Sequence, residues 1–313
     1  MRVFITGAIG FVGVWLQREL AAAGHEVVAA PGPETLDITD RAGLVRWFSV
    51  PGGQPDAVVH LAGMAFAQDA RSDPVEAFRV NVAGTIAVFE ALREVGLRTP
   101  VLVSGSSEVY GAPKPEDLPL RETTPLDPRR PYALSKAAQE AVAVEAGVRW
   151  GFPVVVTRSF NHCGPGQRPV FVVPAMARRV LAVQRGAPGV IPAGNVDVMR
   201  DFSDVRDVVR AYRLLLEGAA TGRLASEPQI VNVASGRAVS IRSLIESLCD
   251  LAHIHVSVQI DQSLVRTDDP PEIRGDPTRL IELTGWHAEI AFERTLADVF
   301  DDIQSPSGVE RPT

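Results

Sequence analysis

A short stretch near the N-terminus leaves this chain few options. Thr6-Gly7-Ala8-Ile9-Gly10-Phe11-Val12-Gly13 follows an apolar run at residues 3–6 and opens a helical pattern at 11–23. Three glycines so spaced do separate jobs in a strand–turn–helix unit. One permits the tight turn, one lets the backbone approach a pyrophosphate, and one lets helix and strand pack closely. The helix N-terminus offers free N–H groups and the positive end of its dipole to that negative charge. Gly7, Ile9, Gly10, Phe11, Val12 and Gly13 are therefore candidate dinucleotide-binding residues.

The rest of the first half fits such a unit. Apolar runs at 3–6, 26–30, 57–61, 101–104 and 154–158 alternate with helical patterns at 11–23, 41–48, 73–95 and 132–150. Val- and Ile-rich strands separated by helices imply a parallel sheet covered on both faces, with ligands beyond the carboxyl ends of the strands. The expected fold is α/β, a Rossmann-type doubly wound sheet with a smaller C-terminal α/β substrate-binding lobe. After Asn161 the pattern changes. Gly164-Pro165-Gly166 and Pro169 read as a loop, helices are expected at 174–185, 205–216 and 241–252, and 186–194 is Gly/Pro-rich. The run 229–233 reads as a strand returning to the main sheet. The expected division is 1–164 plus 203–236 for the dinucleotide, 165–202 plus 237–304 for the second lobe, and a flexible tail at 305–313.

Composition excludes other classes. The formal charge of −7 gives no basic surface for nucleic acid or anionic membrane. Cys163 and Cys249 form no metal-binding or disulfide pattern, so no metal is expected and a reducing, cytoplasmic setting is. No apolar run approaches the roughly 18 residues that a membrane span needs. The opening residues lack a signal-peptide pattern, because their apolar run breaks at Gly7.

An acid at the end of the second strand would bond a ribose 2′-hydroxyl and favour NAD. Here the chain reads Ala29-Ala30-Pro31-Gly32-Pro33, with Glu34 past the turn and no arginine beside it. Either NAD(H) or NADP(H) is compatible, and the missing carboxylate leans to NADP(H).

Tyr132 and Lys136 lie four apart at the start of a helix, hence on one face. A nearby ammonium stabilises a phenolate, so the Tyr132 pKa is expected to fall toward working pH. Tyr132 is then a candidate acid/base for a carbonyl or alcohol. Ser104-Gly105-Ser106-Ser107-Glu108 ends the fourth strand, where a hydroxyl can bond a substrate oxygen. His60 reads as structural but close to the cofactor, and His162 as a candidate sugar-site residue.

Together with His60-Leu61-Ala62-Gly63, Asn81-Val82-Ala83-Gly84-Thr85 and Arg200-Asp201-Phe202, these motifs make the chain resemble the extended short-chain dehydrogenases that act on sugar nucleotides. The resemblance runs from about Val3 to Phe300. It implies Ser106, Tyr132 and Lys136 as a catalytic triad, with Lys136 also on the nicotinamide ribose. It places Asp37 and Ile38 against the adenine, Leu61, Ala62 and Gly63 along the cofactor, and Asn81 among the cofactor-binding residues. It further implies Arg200 and Arg266 on a diphosphate, Asp269 on a nucleotide ribose, Asn161 near the diphosphate, Ser107 in the substrate site and Val172 in a segment packing on the base. Long helices at 73–95 and 132–150 pair in this family as a four-helix bundle, so a homodimer is expected.

Phe160-Asn161-His162-Cys163-Gly164-Pro165-Gly166-Gln167 and Arg200–Asp207 are most similar to the GDP-4-keto-6-deoxy-mannose reductases. The implied substrate is a GDP-linked sugar, with dTDP or UDP as other bases, and the implied reaction is reduction of a C4 ketone. A 4,6-dehydratase or 4-epimerase with tightly held cofactor stays open, since Glu108 resembles the dehydratase base. So does, more remotely, a cofactor-binding protein without catalysis.

Overall fold

The computed structural model describes residues 1–50, 53–224, 227–265 and 269–305. In chain order the first part comprises β1 (Arg2–Thr6), α1 (Phe11–Ala22), β2 (Glu26–Ala29), α2 (Arg41–Phe48), β3 (Ala57–His60), α3 (Ala67–Ser72), α4 (Pro74–Phe78), α5 (Gly84–Glu94), β4 (Val101–Ser104), α6 (Pro131–Trp150) and β5 (Val154–Ser159). There follow β6 (Asn161–Cys163), α7 (Val172–Gln184), β7 (Val190–Ala193), β8 (Met199–Asp204), α8 (Val205–Ala220), β9 (Gln229–Val233), β10 (Ala238–Ser240), α9 (Ile241–Ala252), β11 (Ser257–Ile260), β12 (Glu272–Ile273), α10 (Thr278–Thr284) and α11 (Phe292–Gln304).

Six strands form one parallel sheet in the order β2-β1-β3-β4-β5-β9. The order reverses between β1 and β3, so their carboxyl ends, Thr6 and His60, flank the crevice where such sheets take ligands. Strand alternation sorts the core. Val3, Ile5, Val59, Leu102 and Val155 face α1 and α8 through Leu16, Leu20, Tyr212 and Leu215. Phe4, Val58, Val103 and Val156 face the other way, onto Phe48, Phe89 and Ala143 of α2, α5 and α6. The sheet is thus covered on both faces, the Rossmann-type architecture.

A second core gathers α7, α9 and α11 around Phe202, Leu244, Leu248 and Phe300. The 186–194 stretch contains β7, which pairs in parallel with β11. β8 was not foreseen; it pairs with β6, β10 and β12 and carries Arg200 and Asp201. Residues 278–286, grouped with the smaller lobe from sequence, pack instead on the main-sheet core through Leu280 and Trp286. The expected helix at 73–95 is interrupted: between α4 and α5, Arg79–Ala83 forms a π turn. Such turns widen a helix locally and often serve a site; here the turn carries buried Asn81. Among the described residues, no helix is long and apolar enough to cross a membrane.

Candidate active site

The β1–α1 turn is shaped by close backbone approach. Gly7 has φ +68°, and a Cβ there would lie 2.7 Å from Ala62 N, so a side chain is excluded both by conformation and by space. A Cβ on Gly13 would sit 2.3 Å from the Gly7 carbonyl oxygen and 2.5 Å from that of Ala8. Gly10 caps α1 without a side-chain bond, and the first turn contains no acid. The N-terminal N–H groups of α1 therefore present an anion site beside the exposed Ile9.

The opposite wall is the end of β3. Ala62 N donates to Thr6 Oγ1 at 3.1 Å. Gly63 faces Asn81, whose Oδ1 would lie 2.8 Å from a Cβ placed there, with Lys136 Nζ at 3.8 Å. Asn81 Oδ1 accepts from Met64 N at 2.8 Å, and its Nδ2 donates to Ser135 Oγ at 2.9 Å. This bare-backbone cradle runs from an uncapped helix N-terminus to Lys136, and its close backbone approaches leave room that fits a dinucleotide. Beyond β2, Asp37 Oδ1 accepts from Thr39 N, and Ile38 packs where Gly84 leaves room. Arg79 of the π turn reaches Asp37 Oδ2 at 3.0 Å and Thr39 Oγ1 at 2.6 Å, a cation that sequence reading missed. Burial works against the Asp37 carboxylate, but its bonds to Thr39 and Arg79 outweigh it and hold the pKa below the usual range.

Pro131 begins α6 and Arg130 ends the extended segment before it, so the helix starts just ahead of Tyr132. Tyr132, Ser106 and Lys136 are all buried, with 8%, 8% and 6% exposure. The Ser106 side chain hydrogen-bonds Tyr132, and the Glu108 carboxylate lies close enough for its charge to act on the phenol. The Ser106 hydroxyl also accepts from Glu108 N at 3.2 Å, which holds Ser107–Tyr110 as a 3-10 turn.

The expected lowering of the Tyr132 pKa is overturned. Burial pushes the phenol above its ordinary value, the Glu108 charge adds to that, and the Ser106 bond offsets only part. Lys136 Nζ donates instead to the Ser104 carbonyl at 2.7 Å and to Gln139 Oε1 at 2.7 Å. Burial brings the lysine down to about 8. Desolvation dominates at both groups because both sit beneath the protein surface. Tyr132 is thus held as a neutral phenol.

Beneath this group lie further buried residues, of which sequence reading missed Tyr212 and Gln139 and read His60 as structural and close to the cofactor. Tyr212 OH of α8 is 2.6 Å from Ser159 Oγ and 3.3 Å from Ser104 Oγ. His60 bridges Thr6 Oγ1 at 2.7 Å and Thr85 Oγ1 at 3.0 Å, and burial with the Lys136 charge lowers its pKa to about 3. Gln139 lies one helical turn beyond Lys136, a spacing that could have found it; Thr6 and Thr85 gave no such signal.

The second lobe brings other candidates together. Arg200 donates to Asp269 Oδ1 at 2.6 Å and to the carbonyls of Met199 and Pro270. Asn161 Nδ2 donates to the Asp201 carbonyl at 3.3 Å, tying it to the same small sheet. Val172 starts α7 and packs on the lobe core. Arg266 lies outside the described residues. Two aromatic contacts span from the cofactor side to this lobe: Phe11 stacks on His162 at 6.3 Å, and Phe66 meets Phe171 edge-on at 5.5 Å. Cys163 is buried in the lobe core, where burial pushes its thiol pKa up, so it offers no nucleophile.

A glycine cradle beside a buried Ser–Tyr–Lys group, opposite an arginine-bearing lobe, defines a dinucleotide-dependent oxidoreductase architecture. A family profile described as GDP-mannose 4,6 dehydratase matches residues 34–299. The GDP-6-deoxy-D-mannose reductase of Pseudomonas aeruginosa is 36% identical over 97% of each chain. A solved structure described as RMD from Pseudomonas aeruginosa complexed with NADPH superposes with a TM-score of 0.88 at 36% identity, covering 98% of this chain and 99% of that one. The UDP-glucose 4-epimerase of Thermus thermophilus, solved with NAD, gives a TM-score of 0.82 at 28% identity, covering 98% and 100%. The chain belongs to the extended short-chain dehydrogenase/reductase family, within the GDP-mannose 4,6-dehydratase group.

Proposed function

We propose that the protein is an NAD(P)H-dependent reductase of the C4 ketone of a nucleotide-linked 4-keto-6-deoxyhexose, with the GDP-linked mannose derivative as first substrate. The observation that carries this reading is the 36% identity to a GDP-6-deoxy-D-mannose reductase along 97% of both chains. NADPH, when bound, supplies the hydride. Gly7, Ile9, Gly10, Phe11, Val12 and Gly13 hold its pyrophosphate, Asp37 and Ile38 its adenine, and Leu61, Ala62, Gly63, Asn81, Tyr132 and Lys136 its nicotinamide half.

The chain's own groups then divide the work. Ser106 orients the ketone oxygen, and neutral Tyr132 donates its proton as that oxygen gains negative charge. Lys136 stabilises the tyrosinate left behind. Ser107, Asn161, Val172, Arg200, Arg266 and Asp269 bind the sugar nucleotide, and Asp269 keeps the Arg200 guanidinium oriented until a diphosphate arrives. Residues 1–164 plus 203–236 serve the cofactor, and 165–202 plus 237–304, apart from the 278–286 segment that packs on the main sheet, serve the sugar nucleotide. A second strand that ends with no acid after it favours NADPH over NADH.

The apolar residues Val75 (80% exposed) and Phe78 on α4, Ile86 on α5, and Leu134 and Val148 (74% exposed) on α6 support a homodimer joined through a four-helix bundle. Two unpaired, buried cysteines support a cytoplasmic setting.

A panel of GDP-, dTDP- and UDP-linked 4-keto-6-deoxy sugars, offered with NADPH and NADH, tests the reading. Oxidation of NADPH with the GDP-linked ketone is expected; no oxidation with any ketone would sink it. The 4,6-dehydratase alternative is kept by one observation, the nearness of the Glu108 carboxylate to Tyr132, where a base could remove a C5 proton.

A further inference from the structure

Lys136 is the end of a chain of buried hydrogen bonds whose directions follow from the donors available. Ala62 N and the Thr6 hydroxyl open it: the amide donates to Thr6 Oγ1, and Thr6 lies 2.7 Å from His60 Nδ1. At the far side of His60, Nε2 lies 3.0 Å from Thr85 Oγ1. The single Thr85 proton goes to the Asn81 carbonyl, at 2.7 Å. His60 Nε2 must therefore carry the proton, and Nδ1 must accept from Thr6. The remaining lone pair of Thr85 takes Gln139 Nε2 at 3.0 Å. That fixes the amide so that Gln139 Oε1 faces the ammonium.

An ammonium has three donors. The Ser104 carbonyl and Gln139 Oε1 take two of them, which fixes the direction of the third. Gln139 is 1% exposed and Thr85 and His60 are as deeply buried, so water cannot replace these partners. We propose that Gln139 is a positioning residue for Lys136: locked through Thr85 and His60 to Thr6, it aims the ammonium and joins it mechanically to the nucleotide turn. The reaction consequence rests on the role proposed above for Lys136. The titratable groups around the pair are Tyr132 and Glu140 on α6, His60 on β3, Glu108 in the 3-10 turn and Tyr212 on α8. Glu140 is occupied by Arg158 through bonds of 2.6 and 2.9 Å.

The sequence makes the test clean, because Lys114 and Lys136 are its only lysines. Lysine-selective 13Cε labelling of the cofactor-free protein gives one resonance for each, with exposed Lys114 as internal reference. An acceptor bonded to the ammonium favours the charged form. Gln139→Met, which keeps the volume and removes the acceptor, should lower the Lys136 midpoint by about one unit. Gln139→Glu should raise it, and Thr85→Val, which frees the amide, should lower it by less than Gln139→Met does. The alkaline limb of the reduction rate should follow the midpoint while KM for the sugar nucleotide stays within about threefold. A Lys136 midpoint equal to wild type in both Gln139 variants overturns the proposal. A midpoint that moves while the alkaline limb does not upholds the Gln139 coupling and overturns the catalytic role of Lys136 instead.

Discussion

Lys136 Nζ lies 2.7 Å from the Ser104 carbonyl oxygen, so the lysine of α6 is fastened to the carboxyl end of β4. Strand and helix thereby share one charged contact at the place where Ser106 meets Tyr132. The contact is buried, and burial brings the lysine to about 8, inside the range where enzymes are assayed.

Reduction should therefore weaken as pH rises through about 8. Below that point Lys136 is charged and can stabilise the tyrosinate; above it the charge is lost, while Tyr132, whose pKa is raised, still holds its proton. A kcat profile with an alkaline limb near pH 8 is expected. A profile flat to about pH 10, the ordinary lysine value, contradicts the assignment.

Tyr132→Phe removes the proton donor and leaves the ring in place. Its kcat should fall by about 10²–10⁴, and Ser106→Ala should cost less, about 10². In Ser106→Ala the Kd for NADPH, followed by fluorescence, should stay within about threefold of wild type, and in Tyr132→Phe, which also loses a cofactor-binding hydroxyl, it should rise by no more than about tenfold. Unchanged kcat in Tyr132→Phe would remove the tyrosine from the chemistry.

Gly13→Ala places a methyl 2.3 Å from the Gly7 carbonyl, a backbone atom that cannot yield without moving the turn. A loss of roughly 1–3 kcal/mol is expected from the overpacking, together with weaker NADPH binding. Gly24→Ala is a useful control, since nothing lies within 4 Å of its Cβ position, although its φ of +80° carries a backbone cost. Equal NADPH affinity in Gly13→Ala and wild type would contradict the cradle.

His60 gives an acid signature. Its pKa is about 3 in the folded chain against an ordinary 6.5, so the unfolded chain takes up a proton that the native state refuses. Stability from this group is complete above about pH 6.5 and is lost as pH falls toward 3. Between about pH 6 and 4, wild type should lose about 1.4 kcal/mol per pH unit more than His60→Gln does. Parallel stability curves would show that His60 titrates normally.

The main sheet was legible because its strands are apolar on both faces and its glycines punctuate the first turn; α2, β4, β9 and α9 lie where hydrophobic periodicity puts them. Of the smaller lobe the helices α7 and α9 were legible and the strands were not. Its strands are short and lined with charge, as in Met199–Asp204, where Arg200 and Asp201 are satisfied by distant partners. Asp201 takes donors from Ser235, Gly236 and Gly275, contacts that periodicity cannot reveal. In the site, Ser106, Tyr132 and Lys136 were readable as types at characteristic spacing. The raised Tyr132 pKa was not, because it depends on burial, and the Thr6–His60–Thr85–Gln139 chain joins four separate elements.

The most direct test counts cofactor against ketone. Purified protein is mixed with limiting GDP-4-keto-6-deoxy-mannose and excess NADPH, and both are followed to completion. The proposed reductase consumes one NADPH for each ketone reduced. Ketone turnover or GDP-mannose dehydration with no net NADPH loss would contradict the account and assign the site to a dehydratase or epimerase.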